Sequence, residues 1–253
     1  MDSLTLSSIA LACVFSAALL ATIFRKRIPD AYQASESKDI VRVVMGLVVT
    51  TVAIALGLLV GSAKTFFDTQ NAEMAQLSAN YVLLDRMLAQ YGPEANGART
   101  ELRTVLADQL AAPDQLLGSN KTYNDIKSGA RVGAGILEKI HGLAPKDDDQ
   151  RFFRQQCLNL EVQLAQIRWL MYAQNSVPFP RFLLVMLIGW LIVLFVSFGI
   201  FAPRNPLVLA GFLVSAAAVC GAILLILEMY NPQRGLIRVS DAPLRAAMQQ
   251  LGR

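Results

Sequence analysis

Five small residues, Gly46, Thr50, Ala53, Gly57 and Gly61, recur at steps of four, three, four and four within one apolar run. On a helix that spacing lines them along one side. Two chemistries use such a row. Small side chains let helix backbones approach closely in lipid, which is the packing reading. In an oligomer with this helix near its axis, the same row leaves room for a permeating ion. Phe66 and Phe67, just beyond it, would then form a hydrophobic constriction that gates by dewetting.

The remaining reactive side chains are sparse. His141 is the single histidine and sits in an Ile140-His141-Gly142 helix-ending turn. Cys13, Cys157 and Cys220 show no C-x-x-C spacing. A disulfide framework, a zinc site and a Cys/His ligand set are therefore not expected. Asp147-Asp148-Asp149 lacks the glycine and the distal acid of a calcium loop, so helix capping and a favourable dipole explain it better. No Ser/His/Asp set, nucleophile elbow, phosphate loop or paired intramembrane carboxylates appear. The sequence thus points to no enzyme activity, no catalytic residue, no cofactor and no metal.

The elements that must position these residues are helical and membrane-borne. Ser3–Phe24, Val43–Ala63, Phe182–Pro203 and Asn205–Leu227 contain no charged residue. A helix rising ~1.5 Å per residue needs about 20 such residues to cross the hydrocarbon core. The first run carries Asp2 before it and Arg25-Lys26-Arg27 after it, the charge order of an uncleaved anchor rather than a signal peptide. The formal net charge is +4, but Lys and Arg alternate with acids through the middle of the chain. No basic stripe forms, and a nucleic-acid partner is not expected.

From Arg42 to Tyr91 there is no proline, which predicts that the second span continues into water as one long helix. Met74, Leu77, Tyr81, Leu84, Leu88 and Tyr91 give it an apolar side. Gly92-Pro93 breaks it. Ala95, Ala98, Leu102, Val105, Leu106 and Leu110 mark a second helix, and Thr122–Ile140 a third. A fourth carries Phe153, Cys157, Leu160, Leu164, Ile167 and Met171 and ends before Pro178 and Pro180. The expected fold is all-α, an integral membrane protein with four transmembrane helices and an intervening soluble helical bundle. Its parts are residues 1–63 (transmembrane helices 1 and 2), 64–181 (the bundle), 182–227 (transmembrane helices 3 and 4) and 228–253 (a C-terminal tail).

Several strings resemble a bacterial family of membrane proteins described as bestrophin-like. They are Leu56 through Lys64, Leu84-Asp85-Arg86, Tyr91-Gly92-Pro93-Glu94, Phe198 through Asn205, Gly235 through Ser240, and Pro243-Leu244. One departure follows the last span, where the family tends to an acid, proline and phenylalanine and this chain reads Tyr230-Asn231-Pro232-Gln233. The resemblance implies similarity to bestrophins, which are pentameric anion channels with four membrane helices and a helical cytosolic body. It therefore implies a homo-oligomeric ion channel, anion-conducting, of a bacterial inner membrane. The alternative is a non-conducting membrane scaffold or sensor whose helical body binds a protein partner.

Orientation has two readings. Arg25, Lys26, Arg27, Lys38, Arg42 and Arg204 lie in the two short connections, and the positive-inside rule would place those in the cytoplasm. The resemblance implies the reverse. Either way, four spans put both termini on one side and the connection around residue 35 on the other. Reporter fusions at residues 1, 35 and 253 are expected to show that pattern, and opposite sides for the two ends would remove one span.

Overall fold

The computed structural model describes residues 3–24, 35–111, 133–176, 181–203, 205–230 and 237–252. They contain helices and connecting turns and no strand. The chain divides into a membrane unit, Met1–Phe66 with Phe179–Ile237, and a body, Phe67–Pro178 with Arg238–Arg253. Four helices in it are long and apolar enough to cross a membrane.

The membrane unit is built from α1 (Ser3–Phe24), the first part of α2 (Ser35–Tyr91), α6 (Arg181–Phe201) and α7 (Pro206–Met229). Lipid supplies no hydrophobic drive between helices, so close backbone approach must do the packing. The buried side of α1 is accordingly almost all small: Ser3, Ser7, Ala10, Val14, Ala18 and Ala21. α1 packs against both α6 and α7. At Gly199 of α6 the approach is closest, since a Cβ there would lie 2.7 Å from the Ala18 carbonyl oxygen and 2.8 Å from Ala21 Cβ. Larger side chains fill the rest of the contact. Leu184, Leu187, Leu191, Leu194 and Phe195 of α6 meet Val52 of α2 and Ala216, Ile223 and Leu227 of α7. α7 starts cleanly because Asn205 accepts a hydrogen bond from the Leu207 amide at 3.1 Å and Pro206 sits at the first helical position. Both are favoured at a helix start.

The body holds the rest of α2, α3 (Asn96–Ala111), α4 (133–141), α5 (Asp148–Ser176) and α8 (Ala242–Gln250). The expected third helix is seen only in part, because residues 122–132 lie outside the described residues. Met74, Leu77, Tyr81, Leu84, Leu88 and Tyr91 of α2 are all buried. They pack with Leu102 and Leu106 of α3, Ile136 and Ile140 of α4, Leu164 and Met171 of α5, and Leu244 and Ala247 of α8. α2 ends at Gly92, whose φ of 123° suits a residue without a Cβ. The acidic triplet caps α5, with Asp147 Oδ1 accepting the Gln150 amide at 2.7 Å. Arg154 donates to the Ile140 and His141 carbonyls at the end of α4. Those are the groups a helix C-terminus leaves open.

The α1–α6 contact sets a test. Gly199→Leu is expected to destabilise the purified protein by about 1–3 kcal/mol or more through overpacking. Gly189→Leu on the same helix, where a Cβ would meet nothing within 4 Å, should behave like wild type. Equal thermal unfolding of the two variants in detergent would rule out the close contact.

Candidate functional site

The small-residue row of α2 is left open by the chain that carries it. Gly46, Thr50, Ala53, Gly57 and Gly61 are all exposed, and a Cβ at any of the three glycines would meet no atom within 4 Å. Thr50 Oγ1 donates to the Gly46 carbonyl at 2.8 Å, and Thr65 Oγ1 to that of Gly61 at 3.0 Å. These hydroxyl protons are committed to the backbone. What the row presents outward is uncharged: small side chains and the helix backbone beneath them.

Phe66 lies elsewhere. It follows Gly57 by nine residues, two and a half helical turns, which carries it to the opposite side of α2. There its ring stacks on Tyr230 at a centroid distance of 5.2 Å, while the Tyr230 hydroxyl meets Ser62 Oγ at 3.0 Å. Ser62 and Phe66 thus join α2 to the end of α7, on the side that also buries Val52 and Ala63. Phe67 is half-buried. Tyr230 opens the stretch where this chain departs from the family string, and its pairing could not be read from local sequence.

The body contains two buried polar constellations of its own. In the first, Arg168 donates to Glu161 Oε1 at 2.8 Å and to the Tyr81 hydroxyl at 3.2 Å, and Gln109 Nε2 donates to the same hydroxyl at 2.8 Å. Gly133 of α4 lies against both members of the ion pair, close enough that a Cβ would collide with Glu161 and Arg168. Burial pushes the Glu161 carboxyl above its ordinary range, opposed by the Arg168 guanidinium. In the second, Asp85 accepts two hydrogen bonds from Arg99, at 2.8 and 2.9 Å, and a third from the Gly252 amide at 2.9 Å. Arg103 completes it by donating to the Leu251 carbonyl at 2.8 Å.

No group of three or more His, Cys, Asp or Glu suited to a metal ion occurs among the described residues. Burial raises the Cys157 thiol to about 12, which leaves it inert as a nucleophile. The possible sites are therefore an uncovered membrane face and a polar-stapled body.

The bestrophin-like domain model matches residues 11–244. The chain belongs to the bestrophin-like family. No curated protein and no solved structure matches it. The bestrophin-like match runs from within α1 into α8, so it spans both the membrane unit and the tail helix that docks near Asp85. In this bestrophin-like protein Asp85 is the fastener that joins α2, α3 and the residues after α8.

Asp85 gives a prediction with a fixed sign. Burial works to raise its pKa, but the Arg99 hydrogen bonds, the Gly252 amide and the Arg99 and Arg103 charges outweigh it, and the net shift is downward. A depressed carboxyl contributes stability that is present above the unfolded value, ~3.9, and lost as pH falls through the lower folded value. Asp85→Asn, which leaves Arg99 without its partner, should cost on the order of 3 kcal/mol at neutral pH. Hydrogen exchange at 242–250 should speed up in that variant and, in wild type, only in acid. Unchanged exchange in both would remove Asp85 from this role.

Proposed function

We propose that this protein is an oligomeric ion channel of a bacterial inner membrane, with α2 of each subunit turned toward a shared axis. One observation carries the reading. The small side of α1 is consumed within the subunit, while the small row of α2 meets no neighbour there. The bare glycine row leaves room for a water-filled path, and the Thr50 oxygen keeps acceptor capacity free to face it. A ring of subunits would cover α1 in lipid and protein and leave the α2 row facing the permeating ion. Bestrophins conduct anions, and family membership supports an anion here. The row itself holds no charge, so discrimination among ions rests on pore width and dehydration.

A specific observation favours a second reading, a scaffold that binds a protein partner through its body. Phe152, Val162 and Trp169 of α5 are exposed, and Trp169 stacks on Tyr172 at 5.5 Å. Large exposed apolar side chains on a helix outside the membrane suit a protein contact.

Planar bilayers separate the two. The purified protein is expected to form a defined oligomer and conduct, with a reversal potential that favours chloride in a salt gradient. Cysteine introduced by Thr50→Cys, Gly57→Cys or Gly61→Cys, after replacement of Cys13, Cys157 and Cys220, should react with water-soluble thiol reagents and lose current. An assembled protein that labels at none of the three positions loses the pore assignment and keeps the scaffold one.

A further inference from the structure

The Tyr81 constellation does not balance as a set of hydrogen bonds. Two donors, Gln109 Nε2 and Arg168, point at the Tyr81 oxygen, so the hydroxyl proton of Tyr81 must be given to a third group. Two acceptors nearby lack a donor. Glu161 Oε2 and Gln109 Oε1 are buried with no hydrogen-bond partner among the described residues, and their side chains belong to residues only 3% and 6% exposed. Both are held within one hydrogen bond of the Tyr81–Arg168 contact. Two acceptors cannot satisfy each other. With the Gln109 amide turned over, Tyr81 would donate to it and the amide nitrogen would take the position that Oε1 now holds.

We propose that Tyr81, Gln109 and Glu161 bind one water molecule inside the helical body, which accepts from the Tyr81 hydroxyl and donates to Glu161 Oε2 and Gln109 Oε1. A molecule with two donors and two acceptor sites closes the set, and three hydrogen bonds are the usual number for a buried water. A metal cation is the wrong guest. Arg168 already neutralises Glu161 at 2.8 Å and lies against the same hydroxyl, so a second positive charge would be repelled. An anion is excluded by the two acceptors it would face. The bound water ties α2, α3 and α5 together at a point where apolar side chains alone cannot, and Gly133 of α4 leaves the room that lets the ion pair lie there. The inference is independent of whether the protein conducts.

The test is a structure of the intact protein at a resolution where ordered waters elsewhere in the body are visible. A peak is expected within hydrogen-bond distance, about 2.6–3.2 Å, of the Tyr81 hydroxyl and Glu161 Oε2. Gln109→Leu fills the site and removes one partner, and there the peak should vanish while the Arg168–Glu161 pair stays. No peak in wild type, a protein side chain in its place, or a peak that survives Gln109→Leu would each overturn the proposal. Should Gln109→Leu fail to fold, the wild-type map decides alone.

Discussion

A helix that leaves a bilayer without breaking must change its surroundings within a turn or two, and α2 makes that change near Phe66. No proline interrupts it between Arg42 and Tyr91, so every side chain along it has its direction fixed by a single periodicity. Within the membrane unit the row through Val52, Ala63 and Phe66 is committed to neighbours, and the glycine row opposite is left open. Within the body the row from Met74 to Tyr91 is committed to the core. The uncovered row follows from the committed one. Rotating α2 within the membrane unit to hide its glycines would uncover Val52 and Ala63 and break the Phe66–Tyr230 stack.

The two units solve different packing problems with different side chains. In lipid, α1 and α6 approach until the Gly199 backbone meets Ala18, because dispersion at short range is the main attraction available. In the body the core is made of Leu, Ile, Met and Tyr, which gain from leaving water. Two buried carboxylates there, Asp85 and Glu161, are each held by an arginine. Removing one member of such a pair is costlier than the pair is stabilising.

Periodicity made much of this legible in sequence. The four spans, the unbroken α2, the Met74–Tyr91 row and the capping role of Asp147 all depend on neighbours within a few residues. The long-range pairings left no such trace. Gly252 bonds to Asp85 across 167 residues, and the tail beginning at Arg238 belongs to the body, although it reads in sequence as a polar appendage. The amphipathic signal of α8 is too short to show where Leu244 and Ala247 go. Phe66 is the instructive case for the candidate site. It looked like an extension of the glycine row by position in the chain, but helical phase sets it on the far side, against Tyr230. Nothing local announces a tyrosine at the end of another helix as its partner.

The small side of α1 has a consequence in time. Its partners α6 and α7 are the last two membrane helices of the unit, whereas α2 follows it directly in the chain. At a ribosomal speed of ~5–20 residues per second, α6 emerges roughly 160 residues after α1, a delay of about 10–30 s. For that interval a helix designed for backbone contact sits in the bilayer with its alanine side bare. Newly made chains therefore pass through a stage in which any other small-faced helix nearby, including α2 of the same chain, is a rival for the place that Gly199 later takes.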